Sequence, residues 1–333
     1  MRAGAQTLTL LGVPRTFLIL AALGEGPKGQ TDLRGAAGTP AQSTLRGQLK
    51  QLEATGAILR RRRDAFPGAY EYSLTKAGDE LLTVARHLGA WLAKGPEGPL
   101  EIGSEPARAA IKGLVDAWLA RMLEPLAGDG PLSLTALDAR LTTVTYPSIE
   151  RRLETMRLAG QLEATERDGG GIPHSLTHWC RQGMGPLFAA AHWERRHRPE
   201  GAEPLTRLEL ETGCKVVAPL LALPPATAGD IQTALTRRAR NARPPRFLGL
   251  LEIENGTLNF SQARSRRKPD AGASGGEDAW FAALLDGERG SLRMSGDTRL
   301  VERLLERAHE SVFQTDGRRG ARQGTAKTPS VSK

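Results

Sequence analysis

The segment Ser43–Leu82, STLRGQLKQLEATGAILRRRRDAFPGAYEYSLTKAGDELL, contains two changes of periodicity that decide the fold. Its first part carries leucines three and four residues apart, the spacing of an amphipathic helix. Its middle part alternates around Pro67-Gly68, as the two strands of a hairpin do. After Thr75, a favourable N-cap, the helical spacing returns. The segment therefore predicts a helix, a two-stranded ribbon and a second helix in succession.

The first of these helices is predicted over residues 39–56. Thr39 would be its N-cap, with Pro40 at the first helical position and Gln42 completing a capping box. Gly56 would end it, because glycine adopts the left-handed conformation of a helix C-terminus. Its core-facing stripe consists of three leucines: Leu45, Leu49 and Leu52.

The opposite face of this helix is a candidate DNA-reading surface. At about 100° per residue, small, polar and cationic side chains fall there: Ser43, Arg46, Gly47 and Lys50. Such a face suits a helix in the major groove, with Arg46 on a guanine edge or a phosphate and Lys50 on a phosphate. Gln42 and Ser43 lie near the N-terminal end, where recognition helices meet bases or backbone. A merely solvated helix face has the same pattern.

Four consecutive arginines, Arg60–Arg63, lie on the ribbon, whose strands we predict at 58–62 and 69–74. Because side chains alternate along a strand, only every second arginine can point towards phosphates. We expect Arg61 and Arg63 to do so, with Arg62 as the alternative. An apolar helix and a short helix precede the segment, and the order helix, helix, helix, ribbon, helix is that of a winged helix-turn-helix. The ribbon over 58–74 would be the basic wing.

A later part of the chain repeats this pattern. Residues 26–58 align without gaps with residues 130–162 at an offset of 104, matching a Gly-Pro pair and a helix-ending glycine. After a shortening by two residues, SLT at 73–75 aligns with SLT at 175–177, and Trp91 with Trp193. Helical periodicity alone can align leucines by chance. It does not explain the matching glycines, the Gly-Pro pair, the SLT segments or the tryptophans. We interpret the repeat as a duplication.

The second copy differs at the DNA-facing positions. Glu150 and Glu154 replace the arginine and the lysine of the first copy. Carboxylates repel phosphates, although a glutamate can accept a hydrogen bond from cytosine. Arg151 and Arg152 lie nearby and could reach the backbone. We therefore predict that the first copy reads DNA, while the second takes the part of another protomer. The protein would be a monomer with pseudo-dimeric winged helices, or a homodimer.

The segment Ser43–Leu82 resembles HxlR/MarR-type winged-helix transcriptional regulators. The shared frames are L-x-x-L-E-x-x-G from Leu49 and Y-x-L-T-x-x-G-x-x-L from Tyr72. The resemblance covers residues 13–93 and, more weakly, 116–197. It implies a bacterial, sequence-specific regulator whose partner is double-stranded DNA. Two cysteines are too few for a disulfide scaffold and suit a reducing cytosol, so we expect a cytoplasmic protein.

The third part of the chain, residues 205–314, reads as a smaller α+β domain. FLGLLEIENGTLNFS (Phe247–Ser261) predicts a strand pair with an Asn-Gly turn. A helix, a short strand SLRMSG and a helix capped by Asp297 or Thr298 follow. The helix, strand and helix together resemble the C-terminal half of sterol-carrier-protein-like domains. This resemblance implies an apolar cavity and a possible apolar small-molecule effector. The candidate lining residues describe a plain core equally well: Leu220, Leu221, Leu223, Leu250, Ile253, Trp280, Phe281 and Leu285.

The predicted organisation is thus α+β: two tandem winged helix-turn-helix domains, a smaller α+β domain and a disordered basic tail. The boundaries are 1–94, a linker at 95–110, then 111–198, 205–314 and 315–333. The net charge of the 333 residues is +9, which indicates a polyanionic partner. The tail alone contributes +4 of this charge, which could serve solubility only.

Few motifs for other functions are found. No glycine-rich phosphate loop, nucleophile motif or catalytic carboxylate pair is recognisable, so we predict neither an enzyme nor a cofactor. His174, His178 and Cys180 lack a fourth ligand at a usual spacing, so no metal site is expected. The apolar stretch Leu8–Leu23 is interrupted by GVPR, which favours a domain helix over a signal or membrane segment. The alternative to a DNA-binding regulator is an interaction or lipid-binding protein whose winged helices contact proteins.

Overall fold

The computed structural model describes residues 3–62, 70–116, 119–164, 171–236, 246–262 and 267–313. The predicted wing residue Arg63 and the predicted tail at 315–333 lie outside these ranges. Three units follow one another along the described chain. The first two units share one hydrophobic core, and the third has a core of its own.

The first unit has the element order that the sequence predicts for a helix-turn-helix domain. Its described elements are α1 (Ala5–Leu11), α2 (Pro14–Gly24), β1 (Lys28–Gly29), α3 (Gln30–Ala36), α4 (Gln42–Ala54), β2 (Ile58–Arg62), β3 (Tyr70–Leu74) and α5 (Lys76–Leu92). The strands pair antiparallel in the order β1-β3-β2. The predicted bounds of β2 are confirmed, and Thr75 caps α5 as predicted by accepting a hydrogen bond from the Gly78 N–H.

The predicted start of the reading helix was wrong. Helix α4 begins at Gln42, and its N-cap is Ala41, which makes no side-chain cap. Thr39 is left-handed, with φ of 52°, so it lacks the extended backbone of an N-cap. Its N–H instead donates to the Arg34 carbonyl at 2.8 Å and closes the C-terminal turn of α3. The end of the preceding helix therefore overrides the capping-box pattern.

The buried stripe and the end of α4 follow the prediction. Leu45, Leu49 and Leu52 are all at most 2% exposed. Gly56 has φ of 73° and ends the helix in the left-handed conformation. Burying three leucines stabilises the fold by about 1.5–3 kcal/mol each, before the loss of chain entropy is counted. That burial fixes which face of α4 points outward.

The second unit follows a similar order. Its described elements are α6 (Glu105–Val115), α7 (Leu119–Gly128), α8 (Leu134–Arg140), α9 (Tyr146–Leu158), β4 (Leu162–Ala164), β5 (His174–Leu176), α10 (His178–Gln182) and α11 (Met184–His197). The linker predicted at 95–110 was wrong from Glu105 onward. Ser104 caps α6, and Ala107 and Ala110 are fully buried in the shared core.

Several main-chain contacts recur in both units at the alignment offsets. Lys28 on β1 pairs with Tyr72, and Leu132 forms a bridge with His174. The Thr75 N–H donates to the Ala57 carbonyl, and the Thr177 N–H donates to the Gln161 carbonyl, each at 3.1 Å. Both threonine side chains cap the helix that follows.

Helices α5 and α11 pack together where the first two units meet. The Trp193 indole N–H on α11 donates to the Ala77 carbonyl on α5 at 2.7 Å. The Trp91 indole N–H on α5 donates to the Trp179 carbonyl at 2.9 Å. In the sequence alignment, Trp91 corresponds to Trp193, and Ala77 corresponds to Trp179. The two bonds therefore join equivalent positions in opposite directions.

The third unit is a mixed sheet with helices. Its described elements are α12 (Arg207–Val217), β6 (Gly229–Leu235), β7 (Arg246–Glu254), β8 (Thr257–Ser261), β9 (Ala271–Gly275), α13 (Glu277–Phe281), β10 (Arg293–Gly296) and α14 (Thr298–Ala308). The strand order is β10-β9-β6-β7-β8, in which only the β6–β9 pair is parallel. Short turns of 3-10 or π geometry at 218–220, 282–286 and 309–313 extend α12, α13 and α14.

Two local predictions for this unit are confirmed. Asn255 and Gly256 form the two-residue turn between β7 and β8, with φ of 50° and 77°. Positive φ at both positions is the requirement of a type I′ hairpin turn. Asp297 caps α14, since its carboxylate accepts hydrogen bonds from the Arg299 and Leu300 N–H groups.

The apolar residues named for this domain do not all share one site. Leu221, Leu223 and Ile253 lie in its core, with Trp280 packed against them. Leu285 packs instead against the core that the first two units share. In the described ranges, no single helix is long and apolar enough to cross a bilayer. The pair α1 and α2 passes that test only jointly, with a bend of 82° between the two helices.

Candidate nucleic-acid interface

The outward face of α4 carries the predicted reading residues. Gln42, Ser43, Arg46 and Lys50 are all exposed, opposite the buried leucines. Within the described part of the chain, no hydrogen bond or ion pair holds the Arg46 or Lys50 side chain. Gly47 lies between them and adds no side chain to the surface. The face is therefore flat, cationic and free to meet an anionic groove.

The wing places its arginines on two faces of the ribbon. In strand β2, Arg60 and Arg62 share the face of Ile58, while Arg61 lies on the other face with Leu59. Arg61 and Arg62 are exposed, and among the described residues no hydrogen bond or ion pair holds either side chain. The third predicted wing residue, Arg63, lies outside the described residues. Both described candidates are thus accessible.

Arg60 has a different role, which sequence reasoning missed. Its guanidinium lies 3.5 Å from the Glu53 carboxylate at the end of α4. It also stacks over the ring of Tyr70 on β3, at 4.4 Å from the ring centroid. Glu53 and Arg60 are seven residues apart in sequence, so only the packing of the ribbon on the helix brings them together. Arg60 therefore connects the reading helix to both strands of the wing.

The base of the wing is anchored by the start of α5. The Thr75 hydroxyl donates to the Gly56 carbonyl at 2.6 Å. A Cβ on Gly78 would lie 2.0 Å from the Ala57 carbonyl oxygen, so only glycine allows this approach. Burial, followed by the negative charge of Glu53, raises the pKa of Tyr72 beside this junction. These two contacts, together with the Glu53–Arg60 pair, fix the orientation of the wing relative to α4.

The corresponding helix of the second unit presents a different surface. Arg151 is exposed and, among the described residues, unpaired. Arg152 is only partly exposed and pairs with Asp116 at 3.0 Å, so it could contact phosphate only by breaking that pair. Glu154 accepts two hydrogen bonds from Arg157, both at 2.9 Å. Of the two arginines predicted to contact DNA from α9, only Arg151 could reach a phosphate without first breaking an ion pair seen among the described residues.

The ribbon of the second unit is short and less basic. Strands β4 and β5 have three residues each, and Glu163 accepts a hydrogen bond from the Ser175 hydroxyl at 2.9 Å. Partial burial, followed by the nearby charge of Arg157, lowers the pKa of His174 on β5. No run of cations comparable to Arg60–Arg63 follows α9 in the sequence.

The residues considered for zinc are not arranged around a common point. His178 is exposed and contacts Gln182, while Cys180 is buried in the shared core. Burial raises the pKa of the Cys180 thiol to about 12, which keeps it protonated. Among the residues that the structure describes, no group of three histidine, cysteine, aspartate or glutamate side chains could hold a metal ion.

Comparisons with known proteins agree with this geometry. Residues 10–97 match the model of the HxlR-like helix-turn-helix family. The chain is 36% identical over 89 residues to an uncharacterized HTH-type transcriptional regulator of Halalkalibacterium halodurans. The matched segment covers 79% of that relative and 26% of this chain. The chain belongs to the HxlR-like helix-turn-helix family. The matched range contains α4, the wing and α5, so the family region and the candidate interface coincide.

Two features of this HxlR-like chain had no usable signal in the sequence. Strand β1 is two residues long, which is too short to show alternation. The Glu53–Arg60 contact joins two charged residues that sequence reasoning assigns to separate surfaces. Arg60 is the third residue of β2 and lies on the same face as Ile58, but the spacing from Glu53 does not show that the two side chains meet.

Proposed function

We propose that this HTH-type regulator reads double-stranded DNA with α4 and grips the backbone with the β2–β3 wing. The observation that carries the proposal is the pair of exposed cations Arg46 and Lys50, which have no partner among the described residues, on a helix whose other face is buried. Bidentate contact of an arginine to a guanine discriminates bases by about 1–3 kcal/mol. Arg61, Arg62 and Arg63 would add sequence-independent phosphate contacts.

We further propose that the second unit is a second winged helix that takes the place of another protomer. The two crossed tryptophan bonds support this, because residue-for-residue reciprocity is the signature of a two-fold interface. The glutamates on α9 support a division of labour in which only the first unit reads bases. The protein would then act as a monomer with a pseudo-dimeric core, in the bacterial cytoplasm.

The third unit is proposed to be sterol-carrier-like and to bind an apolar effector that modulates DNA binding. Its sheet-and-helix architecture and an internal cavity support this role. A second candidate function, an interaction protein that uses its winged helices for protein contacts, is favoured by the glutamates Glu150 and Glu154, which stand where the first unit has cations. The cationic face of α4 and the adjacent wing favour the regulator.

The test is binding to genomic fragments from around the protein's own gene. Arg46→Ala/Lys50→Ala should weaken sequence-selective binding at least tenfold, since it removes base and phosphate contacts. Arg61→Ala/Arg62→Ala should weaken binding to all sequences alike. The control Arg299→Ala/Arg303→Ala removes the same charge from the exposed side of α14 and should have little effect. Sequence-blind binding that survives both interface variants would contradict the proposal.

A further inference from the structure

A cavity of about 130 Å³ lies between the sheet of the third unit and its helices. Its walls come from α12, β6, β7, α13 and α14, and also from α11 of the second unit. Large apolar side chains dominate the lining, among them Leu210, Leu251, Trp280 and Leu304. A cavity with such apolar walls holds no water and binds small apolar ligands.

The wall contributed by the second unit is the ring of Phe188 on α11. This ring meets Phe281 edge to face, with centroids 6.3 Å apart. A Cβ on Gly213 of α12 would lie 2.4 Å from the Phe188 ring, so α12 can approach this closely only with glycine there. The cavity is consequently bounded at the junction of two units rather than inside the third unit alone.

The polar groups in the lining either already have a hydrogen-bond or ion-pair partner within the protein or are uncharged. The Thr233 hydroxyl donates to the Gly249 carbonyl at 2.9 Å. The Glu277 carboxylate pairs with Arg195 of α11 at 2.8 Å. Burial raises the pKa of the Cys214 thiol to about 12, so the group stays uncharged. The lining therefore offers a charged ligand no free counter-charge, and favours a neutral one.

The size of the cavity limits the ligand further. An engineered protein cavity of about 150 Å³ binds benzene or xenon, whereas pockets for drug-sized ligands measure about 300–1,000 Å³. The present volume is close to the first class. A sterol or a long fatty acid, which the sterol-carrier resemblance implies, would not fit without widening the cavity.

We propose that this cavity binds a compact, neutral, apolar molecule about the size of one aromatic ring, and that Phe188 on α11 senses its presence. The proposal rests on the proposed regulator function and names the class of its effector. The sterol-carrier resemblance implies a larger ligand and a cavity within the third unit alone. The proposal differs in both respects, because the ligand is smaller and Phe188 of the second unit forms one wall of the cavity.

Helix α11 connects the cavity with the DNA-reading unit. Phe188 lies at the cavity, and Trp193 donates to the Ala77 carbonyl at the start of α5. One turn further, the His197 imidazole lies 2.6 Å from the Glu80 carboxylate, also on α5. Helix α5 begins directly after the wing strand β3. A shift of α11 on ligand binding therefore acts on the element that anchors the wing.

The test uses the full chain and benzene as the probe, with palmitate as the large comparator, by titration calorimetry and ligand-observed NMR. Benzene should bind to wild type and at least tenfold more weakly to Ala308→Leu, since this buried residue lines the cavity and leucine fills it. The matched control Ala222→Leu makes the same change at an exposed position and should bind within twofold of wild type. Leu221→Ala, which enlarges the cavity, should gain affinity for naphthalene.

The outcomes separate this inference from the proposed function. Equal benzene binding by Ala308→Leu and wild type, or preferential binding of palmitate, overturns the ligand class. Unchanged DNA affinity at saturating benzene overturns the sensing role of Phe188. Either result leaves DNA reading by α4 intact, because that is measured without ligand. Loss of DNA binding in the α4 variants together with normal benzene binding supports both proposals.

Discussion

Trp91 and Trp179 each donate their indole N–H to the other's main-chain carbonyl, at 2.9 and 2.8 Å. Their rings stack with centroids 4.5 Å apart and planes 8° apart, and both are at most 5% exposed. Every polar group that these rings bring into the core is thereby satisfied. The pair fixes how α5 lies against the second unit, and hence how the wing is held.

Replacing Trp179 with phenylalanine should destabilise the protein by about 0.5–1.5 kcal/mol, the net contribution of one hydrogen bond. The substitution keeps most of the stacked ring but removes the indole donor at 2.8 Å, so that the Trp91 carbonyl keeps only the Lys94 N–H at 3.1 Å. Urea unfolding followed by far-UV circular dichroism measures the change. Trp280→Phe is the matched control, because the Trp280 indole bond to the Ala234 carbonyl is longer, at 3.3 Å, and only partly buried. An equal loss in both variants would contradict the importance of the reciprocal pair.

The proposed pseudo-dimeric arrangement predicts a monomer. In the described chain, α5 packs against α11 of the same chain, and this face of α5 is therefore not available to a second protomer. Light scattering at micromolar concentration should give the mass of one chain, and titration of a DNA site should saturate at one chain per reading site. A stable dimer with two chains on a palindromic site would refute this assignment.

Parts of the first unit and one hairpin of the third unit were predictable because their sequence signals are local. The bounds of β2 follow from alternation beside the helix-ending Gly56, and the Asn255-Gly256 hairpin follows from a two-residue turn. The start of α4 was not predictable, because the Thr39 N–H bonds to the Arg34 carbonyl in the C-terminal turn of α3. A capping pattern states a local preference, and a neighbouring helix end can outweigh it.

The site was predictable only as a face, not as a set of contacts. Helical periodicity puts Arg46 and Lys50 outside, whatever the tertiary structure. The partners of Arg60 and Arg152 depend on how separate elements pack, and no spacing in the sequence encodes that. Helix α6 was hidden for a related reason. It follows a glycine- and proline-rich stretch, and two of the four residues on its buried face are alanines.

Breaking the contact between helix and wing should weaken DNA binding without removing a DNA-facing cation. Glu53→Gln deletes the carboxylate that holds Arg60 and makes the surface more positive. Electrostatics alone would then strengthen binding. We expect a loss of about threefold to tenfold, because the wing arginines are no longer held in position. The control Glu302→Gln makes the same charge change at an exposed position on α14. A gain in affinity for Glu53→Gln would show that the contact does not position the wing.

Stability should fall in mild acid because of His87 on α5. Burial, followed by the charge of His309, lowers its pKa from 6.5 to about 4. The unfolded chain therefore binds a proton below pH 6.5 that the folded chain does not bind until about pH 4. The free energy of unfolding should decrease by roughly 2–3 kcal/mol as the pH falls across this window, and then level off.

His87→Gln should flatten that part of the pH profile, measured by urea unfolding between pH 4 and pH 7. The exposed His178→Gln is the control and should keep the slope of wild type. A His87→Gln profile as steep as that of wild type would show that other groups cause the acid sensitivity.

The division of labour between the two units predicts a gain of binding from two substitutions on α9. Glu150→Arg/Glu154→Lys restores the cations of the first unit and also frees Arg157 from its pair with Glu154. If α9 faces DNA, the slope of log affinity against log salt should become steeper by about 2–3, since each new phosphate contact contributes roughly 0.9. Arg299→Ala/Arg303→Ala, measured beside it, reports any general effect of net charge. An unchanged slope would mean that α9 points away from the nucleic acid, and that the second unit serves only as an internal partner.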